Sequence, residues 1–228
     1  EVKYLFKYKE SMEADLKEIF SSTCQTGPSS KNIKIKLRIH KDSYYKKLQT
    51  LLDYIHRGDV YEANFCQEFY SEHCSLNPVD TYNRLNEISK PPFASFVKLN
   101  THYLMSASPE RYLKKEGTQV ISQPIKGTAK RAKNPKKDLL LVEALKKNQK
   151  ERSENIMIVD LVRNDLSRVA IKGSVRVTEL CNVYTFEQVH QLISTISCEV
   201  KNDTHPVDII KSTFPMGSMT GAPKISAM

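Results

Sequence analysis

Four stretches of this chain carry residue types that serve chemistry better than packing. Gln123-Pro124-Ile125-Lys126-Gly127-Thr128 follows a strand-like run. Gly127 would let a ligand approach the backbone, and Thr128 offers a hydroxyl and an amide. The plainer alternative is an ordinary turn with a surface Lys. Ser108-Pro109-Glu110-Arg111 places a Glu beside a Pro at a strand junction, where a carboxylate is usually just exposed. Glu151 and Glu154 open a helical stretch three residues apart, so both carboxylates share one face near the positive end of the helix dipole. That is either a simple dipole complement or a half-site for a hard cation such as Mg²⁺, which takes one or two protein carboxylates and keeps positions for water and an anion. Pro215-Met216-Gly217-Ser218-Met219-Thr220-Gly221-Ala222-Pro223-Lys224 combines glycines, hydroxyls and amides before a helix start, a cradle for carboxylate or phosphate. The order of a P-loop is absent from it. His190 sits in a strand pattern and reads equally well as a satisfied core histidine.

The elements that must position these residues follow from periodicity. Ile33–Ile39 alternates apolar and polar residues and predicts a half-buried strand. Asp42 is placed to cap a helix with Tyr45, Leu48, Leu51, Leu52 and Ile55 on its apolar face and Gly58 just past its end. Val60–Phe69 reads as an imperfect strand. Pro78 starts a helix reaching about Ser89, which Pro91-Pro92 terminates. Strands Phe93–Leu99, Tyr103–Ala107, Tyr112–Lys115 and Gln119–Gln123 recur at meander spacing. Helices over Pro135–Asn148 and Glu151–Val169 come next, then strands Ser174–Leu180 and Val189–Val200, and a helix from Pro206. A short helix over 12–20 and a polar loop over Ser21–Asn32 precede all of this. The expected class is α+β, with antiparallel sheets and helices outside them.

Composition narrows the function. With 228 residues, 39% hydrophobic and 27% charged, the chain is an ordinary globular one, without the long apolar run of a membrane helix or the apolar core of a signal peptide. The net charge of +9 permits nucleic acid, anionic lipid or a small anionic substrate. The densest basic run, Lys126–Lys137, carries no aromatic residue to stack a base, and a solvated loop and helix start is the plainer reading. A basic nucleic-acid module remains the alternative from another class, and neither nucleic acid nor membrane is the expected partner. The five cysteines are odd in number and form no C-x-x-C, which fits a reducing cytosol better than a disulfide or zinc framework. Cys66 and Cys198 read as small core residues. The chain starts at Glu1 and ends one turn into a helix, so a fragment cut at both ends is expected.

Taken in order, Gly58-Asp59-Val60-Tyr61, Ser108-Pro109-Glu110-Arg111, Pro124-Ile125-Lys126-Gly127-Thr128, the run from Glu154 to Leu166 and Gly217-Ser218-Met219-Thr220-Gly221-Ala222-Pro223-Lys224 resemble the chorismate-utilising enzymes. The resemblance runs from about residue 33 to the end. It implies two facing antiparallel β-sheets flanked by helices, with the site in the cleft. It also implies a division into 1–32, a remnant of an N-terminal region and linker, and 33–228, a chorismate-binding domain lacking its C-terminal segment. Lys126 stands where anthranilate synthases of that family have Ala and aminodeoxychorismate synthases have Lys. The resemblance is therefore to the aminodeoxychorismate synthase component I branch, in 4-aminobenzoate and folate synthesis; an anthranilate synthase-like enzyme with an unusual Lys is the nearest rival. Isochorismate and salicylate synthases carry a Lys base where this chain has Glu62.

The roles that follow are those the resemblance implies. Glu110 is a general acid with a raised pKa, and Lys126 an uncharged nucleophile kept so by burial and a nearby positive charge. Gly127, Thr128, Gln191, Gly217, Ser218, Thr220 and Gly221 hold the substrate. Glu154 binds Mg²⁺, and Glu151 orders a water on it. Gln191 stands where the family commonly has His, and Glu62 where it usually has Gln. Chorismate is the substrate, and ammonia comes from a glutamine amidotransferase subunit.

Overall fold

The computed structural model describes residues 33–228. The expected helix over 12–20, the loop over Ser21–Asn32 and the 1–32 remnant lie outside the described residues, as does Cys24. The described residues fall into two compact units, one of 33–35 with 71–107, the other of 36–70 with 108–228.

In the smaller unit, helix α2 (Pro78–Ser89) and the hairpin β4 (Phe93–Leu99)–β5 (His102–Ser108) sit where the sequence puts them. Asn77 caps α2 by accepting the Val79 and Asp80 N–H groups, with Pro78 in the first turn, where a missing N–H costs nothing. Lys90 closes the helix in the left-handed region before the two prolines. Phe96 lies in tilted ring contact with both Tyr82 and Tyr103, joining helix to hairpin.

The larger unit is a five-stranded antiparallel sheet with helices packed on it. Its central strand, β10 (Val189–Glu199), is buried almost throughout. On one side it pairs with β9 (Arg176–Thr185). On the other it pairs with β7 (Gln119–Gln123) through its C-terminal half and with β8 (Ile125–Lys130) through its N-terminal half, and β6 (Arg111–Glu116) completes the edge beyond β7. Helices α3 (Pro135–Lys147) and α4 (Gln149–Ser167) share Asn148, which ends one and caps the other by accepting the Glu151 N–H. The apolar stripe of α4, Ile158, Val159, Val162 and Leu166, packs on Val120, Ile196, Cys198 and Val200 of the sheet and on Ile209 of α5 (Pro206–Thr213). Each such side chain contributes about 1.5–3 kcal/mol by burial.

Several expectations are corrected. The Ile33–Ile39 strand reduces to β1 (Lys36–Leu37), because its apolar residues find nothing to cover them: Ile33, Ile35 and Leu37 are all exposed. The Val60–Phe69 strand is two short pieces, β2 (Glu62–Ala63) and β3 (Phe69–Tyr70), with irregular backbone between. Cys66 falls in that gap and is exposed, unlike Cys198, whose buried thiol is pushed up to about 11, chiefly by desolvation. The cap of α1 (Lys41–Arg57) is His40 rather than Asp42, which sits in the first turn as a dipole complement; Gly58 closes the helix at φ 83°. Ile125–Thr128 is strand rather than turn, with Pro124 as the break between β7 and β8.

Candidate functional site

Strand β8 contains a β-bulge. Between the pairs Gln191–Thr128 and Ile193–Ile125, Leu192 alone faces both Lys126 and Gly127. Bulges bend a strand and re-aim a side chain. Gly127 adopts φ 92°, and a Cβ there would lie 3.0 Å from Leu192 Cδ1 and 3.1 Å from Glu151 Cβ and Oε2. Only Gly lets the Glu151 carboxylate press this close to the residue after Lys126.

The Lys126 ammonium, 16% exposed, forms an ion pair with Glu62 Oε1, and the other Glu62 oxygen is buried without a hydrogen-bond partner. The positive neighbour expected beside Lys126 is thus a carboxylate instead. Glu62 is fixed from behind. Its strand β2 pairs with β11 (Gly221–Ala222), and a Cβ on Gly221 would lie 2.1 Å from the Glu62 carbonyl oxygen. Gly221 at φ 138° is therefore required for the phosphate-like cradle to meet the strand carrying Glu62. Asn64 Nδ2 donates to the Ser218 carbonyl at 3.0 Å and adds a second tie.

Glu110 reaches the same place from the β5–β6 junction. Its Oε1 accepts the Ile125 N–H at 3.0 Å, one residue before Lys126, and the Ser108 hydroxyl holds its backbone. Burial pushes its carboxyl above the usual value; the Ile125 N–H, the Ser218 hydroxyl and the Lys126 charge oppose that without reversing it. Ser218, in the one-turn helix α6 (Gly217–Thr220), is buried, and apart from its weak pull on the Glu110 carboxyl its Oγ has no hydrogen-bond partner. Gly217 packs on Leu161, where a Cβ would lie 2.7 Å from Cδ2. Thr220 Oγ1 turns back to the Gly217 carbonyl at 3.2 Å. Gln191 is buried and pairs in register with the exposed Thr128.

Structure thus brings Glu110, Lys126, Glu151 and Ser218 around one bulge. Glu154 stands one turn along α4 from Glu151 and pairs with Lys150 at 3.7 Å. Among the described residues no three His, Cys, Asp or Glu side chains are close enough to hold a metal by themselves. Two carboxylates on one helix face, one of them held against Gly127, do fit a cation that keeps waters and takes an anionic substrate.

Other groups have structural work. His190, 1% exposed, binds Asp138 Oδ1 through Nε2 and Thr185 Oγ1 through Nδ1, the satisfied core histidine. In the basic run, Arg131 pairs with Asp138 and holds that carboxyl far below its usual value. Three buried supports have no role of their own in the sequence reading: Asn155, Asp165 and Lys224, the last quoted there only as part of its stretch. Lys224 Nζ is buried, donating to Asp165 Oδ2 at 2.5 Å and to the Thr213 and Pro215 carbonyls at 2.9 and 2.7 Å, which pins the cradle to α4. The signal for two of them was present: Asn155 and Asp165 are polar residues on the same helical stripe as Ile158 and Val162.

The family model of chorismate binding enzymes matches residues 4–228. The chain belongs to the chorismate-binding enzymes. Among relatives, the chain is 39% identical over 188 residues to aminodeoxychorismate synthase component 1 of Escherichia coli, a match covering 82% of the chain and 41% of that protein. It is 35% identical over 222 residues to anthranilate synthase component 1 of Bacillus pumilus, covering 97% and 43%. The crystal structure of anthranilate synthase component I from Streptococcus pneumoniae superposes with a TM-score of 0.79 at 27% identity, over 97% of this chain and 50% of that one. The expected anthranilate synthase component I-like fold is the fold observed. The chain spans about two-fifths of the length of such aminodeoxychorismate synthase component 1 relatives.

Proposed function

We propose that the protein containing this chain is the chorismate-aminating component of an aminodeoxychorismate synthase. It would replace the C4 hydroxyl of chorismate by ammonia that a glutamine amidotransferase subunit supplies. One observation carries this reading. Lys126, the residue that separates this branch from the anthranilate branch, emerges from a bulge within reach of two carboxylates of different character. Glu62 is its ion-pair partner, and Glu110 is buried with its proton affinity raised.

The chemistry can be followed through these groups. An ammonium cannot attack carbon, and the Glu62 carboxylate is the base in contact with it. Once Lys126 Nζ has passed its proton to Glu62, its lone pair bonds to C2 of the ring. The ring double bonds shift, and the C4 hydroxyl departs as water with the proton of Glu110. Ammonia then bonds at C4, the double bonds shift back, and the Lys126–C2 bond breaks to return the amine. The Ser218 hydroxyl and the amides of the Gly217–Gly221 cradle orient substrate carboxylate. Glu154 and Glu151 would hold Mg²⁺, which as a Lewis acid withdraws electrons through the ring carboxylate.

The test is incubation of the full protein with chorismate, ammonium and Mg²⁺. The product should become 4-aminobenzoate only after a lyase is added. Fluorescent anthranilate formed without a lyase would instead establish the second reading, an anthranilate synthase, which the match over 97% of the chain to such an enzyme favours.

A further inference from the structure

The bulge at Lys126 is spanned by a side chain that has no place in the chemistry above. Asn155 follows Glu154 on α4 and is wholly buried, at 0% exposure. Its amide nitrogen donates to the Leu192 carbonyl at 3.2 Å and reaches the Lys126 carbonyl at 3.5 Å. These two residues face each other across the register shift. Its oxygen accepts the Ser194 hydroxyl at 2.5 Å, and Ser194 Oγ in turn accepts the Cys181 N–H at 2.9 Å. The amide is therefore held at its oxygen by the sheet while its two N–H groups fasten both strands at the bulge. An Asn has two donors and a carbonyl, and all are used in a dry interior, where fully satisfied networks are rigid.

We infer that Asn155 is a positioning residue that sets the direction in which the Lys126 side chain leaves its strand. The geometry leaves a simple route. A bulge by itself is a flexible irregularity, since an extra residue has lost its regular partner. Clamping the carbonyls on both sides fixes the backbone at Lys126, and with it the position of Nζ opposite Glu62. Because α4 also carries Glu151 and Glu154, the same amide ties the amine to the carboxylate pair.

Asn155→Ala in the full protein tests this with two readouts. The first is the rate at which limiting acetic anhydride labels Lys126, measured by mass spectrometry relative to the other lysines. Freed from the bulge clamp, the half-buried amine should be labelled severalfold faster, while other lysines keep their rates. The second is turnover, which rests on the proposed role of Lys126. With the amine misplaced by an ångström or so, kcat should fall about 10²-fold while KM for chorismate and the number of binding sites per chain stay unchanged. Should Asn155→Ala fail to fold, Ser194→Ala, which frees the amide oxygen and the Cys181 N–H but leaves both bonds donated by Asn155 in place, should give the labelling change in smaller measure. Unchanged Lys126 labelling in a folded variant overturns the inference. Altered labelling together with full turnover by Lys126→Ala leaves the clamp standing and removes the covalent mechanism.

Discussion

Replacing Lys224 by Met strands a charge in the interior. Asp165 is 4% exposed and Lys224 8%, and Asp165 Oδ1 already has no hydrogen-bond partner. Removing the ammonium leaves Oδ2 bare too, and breaking a buried pair from one side costs about 3–5 kcal/mol. Met fills the space of the lysine stem, so no large cavity adds to this. The carbonyls of Thr213 and Pro215 lose their donor as well, which places the expected loss at the upper end of that range. Burial already raises the Asp165 carboxyl against the Lys224 charge, and loss of that charge raises it further. A carboxyl with a higher pKa in the fold than in the unfolded chain stabilises the fold when protonated. The deficit should therefore be full at neutral pH and shrink as pH falls through that raised range. Urea unfolding followed by circular dichroism at several pH values measures it, and adding Asp165→Asn should recover most of the loss. A deficit below about 1 kcal/mol, the worth of a surface pair, would refute the argument that this clamp is dry.

Glu110→Gln removes a carboxyl whose folded-state pKa is raised by burial, so it should stabilise the protein at neutral pH, an advantage that vanishes below the ordinary 4.5. The same change should lower turnover by about 10²–10⁴-fold, since no proton remains for the leaving hydroxyl; denaturation and steady-state rates check the two parts. Gly127→Ala strains a φ of 92° and crowds Glu151 and Leu192. It should cost about 1–3 kcal/mol by denaturation and weaken chorismate binding in calorimetry. Chelation with EDTA should abolish turnover and added Mg²⁺ restore it, with Glu154→Gln requiring about tenfold or more Mg²⁺ for half-activation.

Local signals made much of the fold legible. Asn77-Pro78 and Asn134-Pro135 are cap and first-turn pairs that need no tertiary context, and both helices begin there. Strict alternation misled at Ile33–Ile39 because burial depends on a partner that sequence spacing does not supply. Pro124 and Gly127 suggested a turn, whereas the pair instead breaks and bulges one long edge against β10. In the site, the separate motifs were visible as odd residues, and their order pointed to the family. The Glu62–Lys126 contact joins positions 64 residues apart and had no local signature. Asn155 and Asp165 hid inside an amphipathic helix, where a polar residue on the apolar stripe passes for a flaw until its partners are seen.

Pairing of β2 with β11 is reinforced by the Asn64–Ser218 bond, which joins positions 154 residues apart. On a ribosome, the residues bearing Glu62 and Lys126 emerge long before the glycine-rich segment that braces them. A nascent chain can thus complete its central sheet strands while the strand bearing Glu62 still lacks its partner, and the brace arrives only with the glycine-rich segment. Contacts of such separation form late because a large loop must close first. Mutations at Gly221 should consequently delay the gain of ligand binding during refolding more than they delay the appearance of the sheet.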